Sequence, residues 1–317
     1  MKTMFNLTTS SGDLDRFTDS KDFLSMLDGF DGVELMHFEE DVRGIVPKGR
    51  VIGYHTNFYY YWIDFFLGDQ DALLREFCSM EQCHKFYGGK TKDILINRIK
   101  SEVEFAKRYG AEYVVFHAAD CAPTEFFSQS FSHSNELVID AVCEMINEAF
   151  AEEKSIMLLL ENLYVPGMKF TNPEMTRRLM DGIHYANKGI MLDTGHLIHT
   201  DSSLRTQEDG VAYVNKQLDE HGDLAKYIKG IHLNKSLTGE YYEKIKKSPP
   251  VLSNDFQERE FQIFTHIFQL DIHKPFTCKG VKELIRRINP DYLTFEFISM
   301  DRDELSAYLR EQQEALE

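Results

Sequence analysis

Six acidic or imidazole side chains stand at or near the far ends of six short apolar runs. His55 closes Gly53-Tyr54-His55, His117 closes Val114-Val115-Phe116-His117, and Glu161 closes Leu158-Leu159-Leu160-Glu161. Asp193 follows Ile190-Met191-Leu192, His232 follows Gly230-Ile231, and Glu296 follows Leu293-Thr294-Phe295. If these ends meet, three carboxylates and three imidazoles would repel or desolvate one another unless a cation lies among them. Mixed imidazole and carboxylate donors suit zinc, manganese or iron better than calcium or magnesium. Three more residues fit the set. His196 lies three residues after Asp193 and can return to the same place from the next turn. Asp271 and His273 form an Asp-x-His pair whose side chains point the same way if the chain is extended there.

The elements needed to position such a set are legible as alternating β-rich runs and amphipathic stretches. The runs are Met4–Thr8, Gly32–Met36, Val51–His55, Glu112–His117, Ile156–Glu161, Gly189–Asp193, Ile228–Leu233 and Leu293–Ile298. Between them, stretches such as Ile94–Tyr109 and Leu137–Phe150 carry apolar residues at helical spacing. Asn172-Pro173 reads as a helix start and Tyr109-Gly110 as a helix end. Eight strand–helix repeats predict one (β/α)₈ TIM barrel over residues 1–317, with its polar strand ends gathered at one mouth. Two connections, at about 57–90 and 236–270, are longer than a plain crossover and are candidates for loops that carry function. The first holds the aromatic run Phe58-Tyr59-Tyr60-Tyr61-Trp62, which serves equally as helix packing or as a platform for substrate. His37, His84, His133, His184, His199, His221 and His266 are read as core or surface residues, His37 being the one among them that sits near the end of a run, the second.

Bulk properties limit the function classes. The 317 residues carry 35 basic and 52 acidic side chains, a net charge of −17. Such a surface repels nucleic-acid backbones and anionic membranes, so any nucleic-acid function must rest on a local site. Three bound divalent ions would leave the chain acidic. The five cysteines, without zinc-finger spacing, predict reduced thiols and a cytoplasmic protein. No membrane span is expected, and no oligomeric state follows from the sequence.

The motifs resemble the xylose isomerase-like barrel superfamily, and within it most closely the endonuclease IV type. Glu161-Asn162, Asp193-Thr194-Gly195-His196, His232-Leu233-Asn234 and Asp271-Ile272-His273 carry the likeness, together with His55, His117 and Glu296. It implies up to three divalent ions, zinc by preference with manganese or iron as alternatives. His55 and His117 would serve one ion, with Glu161 bridging. Asp193, His232 and Glu296 would serve others near it, and Asp271 with His273 the third. The activity implied is phosphodiester hydrolysis, with abasic DNA as one substrate and Glu161 orienting the nucleophile. Sugar isomerases and epimerases of the superfamily use a smaller set, matched by Glu161, Asp193, His232 and Glu296. In that reading Glu161 and Glu296 are the catalytic acid and base, acting on a sugar or sugar phosphate. The sequence departs from the endonuclease IV pattern at Lys235, in the length of Lys235–Leu270, and at Lys274-Pro275-Phe276-Thr277. Lys235, Lys274 and Lys279 flank the motifs and are candidates to meet a phosphate.

Overall fold

A computed structural model describes all 317 residues. Eight parallel strands close into a barrel in sequence order. They are β1 (Lys2–Thr8), β2 (Gly32–Met36), β3 (Val51–His55), β4 (Tyr113–His117), β5 (Met157–Glu161), β6 (Lys188–Asp193), β7 (Ile228–Leu233) and β8 (Tyr292–Phe295). Every predicted run overlaps a strand, with ends shifted by three residues at most. The largest shift is at β8, which stops at Phe295 rather than Ile298. The next rung, Glu296 N–H to Leu233 O, has lengthened to 3.4 Å, so Glu296 stands just past the ladder.

Alternation along the strands separates two cores. Outward residues such as Val114, Phe116, Leu158, Leu160, Ile190 and Leu192 pack under the surrounding helices. Inward residues Met4, Tyr113, Val115, Leu159 and Met191 fill the barrel beneath the mouth. Because the side-chain period is two, the inward phase of β4, β5 and β6 continues to His117, Glu161 and Asp193. Register then sets these residues side by side, with His117 opposite Glu161 and Asp193 opposite His232.

The helix signals have the expected chemistry. Asn172 accepts a hydrogen bond from Glu174 N–H ahead of Pro173, and Gly110 ends Asp93–Tyr109 with φ 85°. The two long connections are helical. The first contains Ile63–Leu67, Gln70–Phe77 and Met80–Tyr87; the second contains Gly239–Lys247 and Phe256–Leu270. Phe256–Leu270 buries Ile263 and Leu270 against Phe126, Phe127, Tyr164 and Val165, which follow β4 and β5. It is also tied to the loops after β3 by the Arg259–Glu76 ion pair and by Tyr60 donating to Glu260 at 2.8 Å. The segment therefore forms a wall beside the mouth. In the aromatic run, Tyr61 and Trp62 are wholly buried, with Trp62 Nε1–H donating to Ala119 O. Those two residues are packing elements, while Phe58, Tyr59 and Tyr60 are half-buried. All five cysteines are unpaired. No helix is long and apolar enough to cross a membrane.

Candidate metal centre

The strand-end set converges. Glu161, fully buried, is the hub: His55 Nε2 and His117 Nε2 lie 3.1 Å from its Oε2, and His196 Nδ1 and His232 Nδ1 lie 3.2 Å from its Oε1. Glu296 Oε2 is 3.3 Å from His232 Nδ1 and 3.6 Å from His273 Nδ1. Asp271 bridges the far side, 2.8 Å from His196 Nε2 and 2.9 Å from His273 Nε2. All nine sequence-derived candidates thus sit in one mouth. His117, with 41% of its side chain exposed, marks where the cluster opens.

Local structure accounts for these placements. Asp193 begins the short helix Thr194–His199, its Oδ1 accepting His196 N–H at 2.6 Å, and one turn carries His196 back to the mouth. Asp193 Oδ2 accepts from Asn234 Nδ2 at 2.8 Å, and Asn162 pairs with the Asp193 backbone in both directions. Gly195 is needed for this contact, because a Cβ there would lie 1.8 Å from Asn234 Oδ1. The Asp271/His273 pair meets as expected, but not by extension. Asp271 caps the Phe256–Leu270 helix, and His273 takes the left-handed conformation at φ 41°. Such backbone is unfavourable for a side chain with a Cβ, and its presence here fits a position held by surrounding contacts.

Electrostatics follow from crowding without a cation. Burial opposes ionisation of Glu161, yet His232 and His117 hold its carboxyl well below the usual range. Burial also opposes charge on the imidazoles, but the carboxylates outweigh it at four of them, His55 among them through Glu161 and Glu34. His196 and His232 are raised well above an ordinary histidine, and His273 to about 9. At His117, burial prevails and the shift is downward. Burial pushes Glu296 up to about 7, assisted by Asp193 and Glu161.

A divalent ion fits this arrangement on three observations. His232 Nδ1 and Glu161 Oε1 are buried without a well-directed hydrogen bond. Donor atoms of Glu161, Asp193, His232 and Glu296 lie within 4.8 Å of one another, and so do those of His55, Glu161 and His232 and of Asp193, His196 and His273. The donor types are those of transition-metal sites.

One residue of the cluster was missed from sequence. Glu34, in the middle of β2, is 2% exposed, and its Oε1 lies 2.8 Å from His232 Nε2. The available signal was a glutamate inside Gly32-Val33-Glu34-Leu35-Met36, where a buried carboxylate needs a reason. The remaining histidines stay outside. His37 stacks on Phe105, His133 pairs with Asp64, His199 with Thr238, His221 with Thr176 and His266 with Tyr241. The two lysines nearest the motifs do not face the mouth. Lys274 engages Tyr308 and Glu304, and the Lys235 ammonium lies near Cys278, Glu311 and Glu208. Lys274 is thus held by Glu304 on the C-terminal helix rather than free at the mouth.

Residues 28–313 match the xylose isomerase-like TIM barrel family. Among solved structures, the 3-keto-D-glucoside 4-epimerase of E. coli aligns with TM-score 0.52 at 13% identity, covering 99% of this chain and 98% of that one. A D-tagatose 3-epimerase-like protein aligns with TM-score 0.49 at 16% identity over 100% of both chains. A xylose isomerase-like TIM barrel protein from Mycobacterium smegmatis, in complex with magnesium, aligns with TM-score 0.49 at 12% identity, covering 100% and 96%. No curated protein sequence gives a match. At these identities the structural likeness concerns the fold. The narrower likeness to endonuclease IV rests on the ligand motifs alone.

Proposed function

This chain belongs to the xylose isomerase-like TIM barrel family, and from that premise we propose that it is a divalent-metal-dependent isomerase or epimerase of a sugar or sugar derivative. The observation that carries the reading is the group Glu161, Asp193, His232 and Glu296, whose donor atoms lie within 4.8 Å of one another. An ion held there would polarise a carbonyl and its adjoining hydroxyl. Glu161 and Glu296 lie 3.2 and 3.3 Å from the same His232 nitrogen, so both can face one substrate carbon. One carboxylate takes the proton from the carbon beside the carbonyl; the other returns a proton to the same or the neighbouring carbon. His55, His117 and His196 surround Glu161 and would bind hydroxyls. A neutral substrate agrees with the net charge of −17 and with Lys274 engaged by Glu304. The E. coli fold neighbour is a 3-keto-D-glucoside 4-epimerase, and the sugar class is carried over from it as part of this proposal.

A second reading, phosphodiester hydrolysis at a centre of two or three ions, is favoured by His117, Asp271 and His273, which a one-ion isomerase does not need. One experiment separates the two. Manganese- or cobalt-loaded protein is incubated in D₂O with a panel of aldoses, ketoses and their phosphates, and in parallel with bis(4-nitrophenyl) phosphate. The isomerase reading predicts an isomeric sugar with deuterium beside the carbonyl, lost in Glu161→Gln and Glu296→Gln. Release of nitrophenol with no change in any sugar would replace it with the hydrolase.

A further inference from the structure

We propose that Glu34 is a positioning residue that fixes which nitrogen of His232 faces the metal, and that Tyr113 and Thr294 in turn hold Glu34. The inference rests on reading the mouth as a metal centre, though not on which reaction occurs there.

A neutral imidazole has one donor and one acceptor nitrogen, and a carboxylate only accepts. His232 is completely buried, so water cannot choose between its tautomers. Its Nε2 lies 2.8 Å from Glu34 Oε1, which holds the proton on that nitrogen. Nδ1 has no well-directed hydrogen bond, and it faces Glu161, Glu296 and Asp193 at 3.2, 3.3 and 3.9 Å. Without a metal this nitrogen keeps a proton toward the carboxylates; a bound metal would take that proton's place and use the Nδ1 lone pair. With Nε2 bonded to Glu34, Nδ1 is left to ligate.

Glu34 is itself braced from across the barrel. Its Oε2 accepts from Tyr113 Oη–H at 2.5 Å and from Thr294 Oγ1–H at 3.1 Å. These partners come from β4 and β8, while His232 comes from β7, so four strands meet through one carboxylate. Tyr113 reaches it because position 53 on β3 is glycine: a Cβ there would lie 2.2 Å from the tyrosine hydroxyl. Glu34 has no lysine or arginine partner, and His232 is its only ion-pair partner. Three donors hold the charge in place. A buried carboxylate is poor evidence for stability, because packed apolar residues usually do as well. Orienting a ligand histidine, and raising its basicity, is what an outer-shell carboxylate does at metal sites.

The role is specific to one position in the cluster. Glu34 touches none of His117, His196, Asp271 or His273, so an ion held by those residues should not sense it.

Cobalt(II) titration of the metal-free protein tests this, read by visible absorption and by competition with a chelator, with ¹⁵N-histidine spectra of the zinc form. Glu34→Gln keeps the volume and an acceptor for Nε2–H but removes the charge. Tyr113→Phe keeps the charge and removes one brace. We expect Glu34→Gln to weaken one class of cobalt site by about 10–100-fold, with an altered absorption band, and to leave other sites unchanged. Tyr113→Phe should weaken the same class by less, and the His232 signals should report a protonated Nε2. Folded Glu34→Gln with wild-type affinity and spectrum at every site would overturn the inference. If Glu34→Gln does not fold, unchanged cobalt affinity in Tyr113→Phe overturns it. A wild-type protein that binds no cobalt would remove the metal centre itself, and this inference with it.

Discussion

At the scale of single residues, the cluster behaves as a set of ligands bearing protons in a cation's place. Raised imidazoles at His196, His232 and His273 mean that an incoming ion must displace protons, and His273 holds its proton up to about pH 9. Because the folded value lies above the ordinary 6.5, competition from protons is strongest at low pH and fades as pH rises toward 9. Apparent zinc affinity, measured against a chelator of known proton affinity, should therefore increase from pH 6 to 9; a flat profile would show that no bound proton has to leave. Asp271→Ala tests the farthest member. It removes the carboxylate between His196 and His273, and metal content should fall by about one ion per chain, with mutated outer ligands elsewhere costing 10–100-fold in affinity. Unchanged stoichiometry would show that Asp271 and His273 are not a ligand pair. These nine residues were legible in the sequence because each was a polar residue at the end of an apolar run or in a short motif beside one. Glu34 was not, because it lies inside its strand, and its partners Tyr113, Thr294 and His232 are 79, 260 and 198 residues away.

At the scale of elements, two glycines keep the site in register. Gly53 leaves room for the Tyr113 ring and Gly195 for the Asn234 amide that holds Asp193. Overpacking of this kind typically costs about 1–3 kcal/mol. Gly195→Ala should therefore lower the thermal midpoint and weaken metal binding together, whereas Gly110→Ala, at an open helix end with φ 85°, should lower the midpoint alone. Calorimetry with and without zinc separates the two. Strand positions were readable from apolar runs and period-two alternation, since the inward phase of each strand carries its last polar residue into the mouth. The helices at Gly239–Lys247 and Phe256–Leu270 were not read as such. They bury little of their own surface alone, and their packing depends on Phe126, Phe127, Tyr164 and Val165 from distant loops. The conformation of Asp271 and His273 was hidden for the same reason: it depends on where the preceding helix ends.

At the scale of the whole molecule, the closed barrel turns six strand ends toward one point, while the outer surface stays acidic at a net charge of −17. The sugar reading predicts no measurable affinity for duplex DNA in fluorescence anisotropy even at low salt, where counterion release would most favour it. Micromolar binding that fades with added salt would point back to a nucleic-acid substrate. Every reading of the chemistry depends on positive ions lying among these side chains. The most direct measurement is anomalous diffraction from crystals grown with manganese or cobalt. A strong peak is expected where Glu161, Asp193, His232 and Glu296 enclose it, with further peaks beside His55 and His117 and between His196, Asp271 and His273. An ordered mouth with no anomalous peak, in crystals holding the metal at saturating concentration, would contradict it.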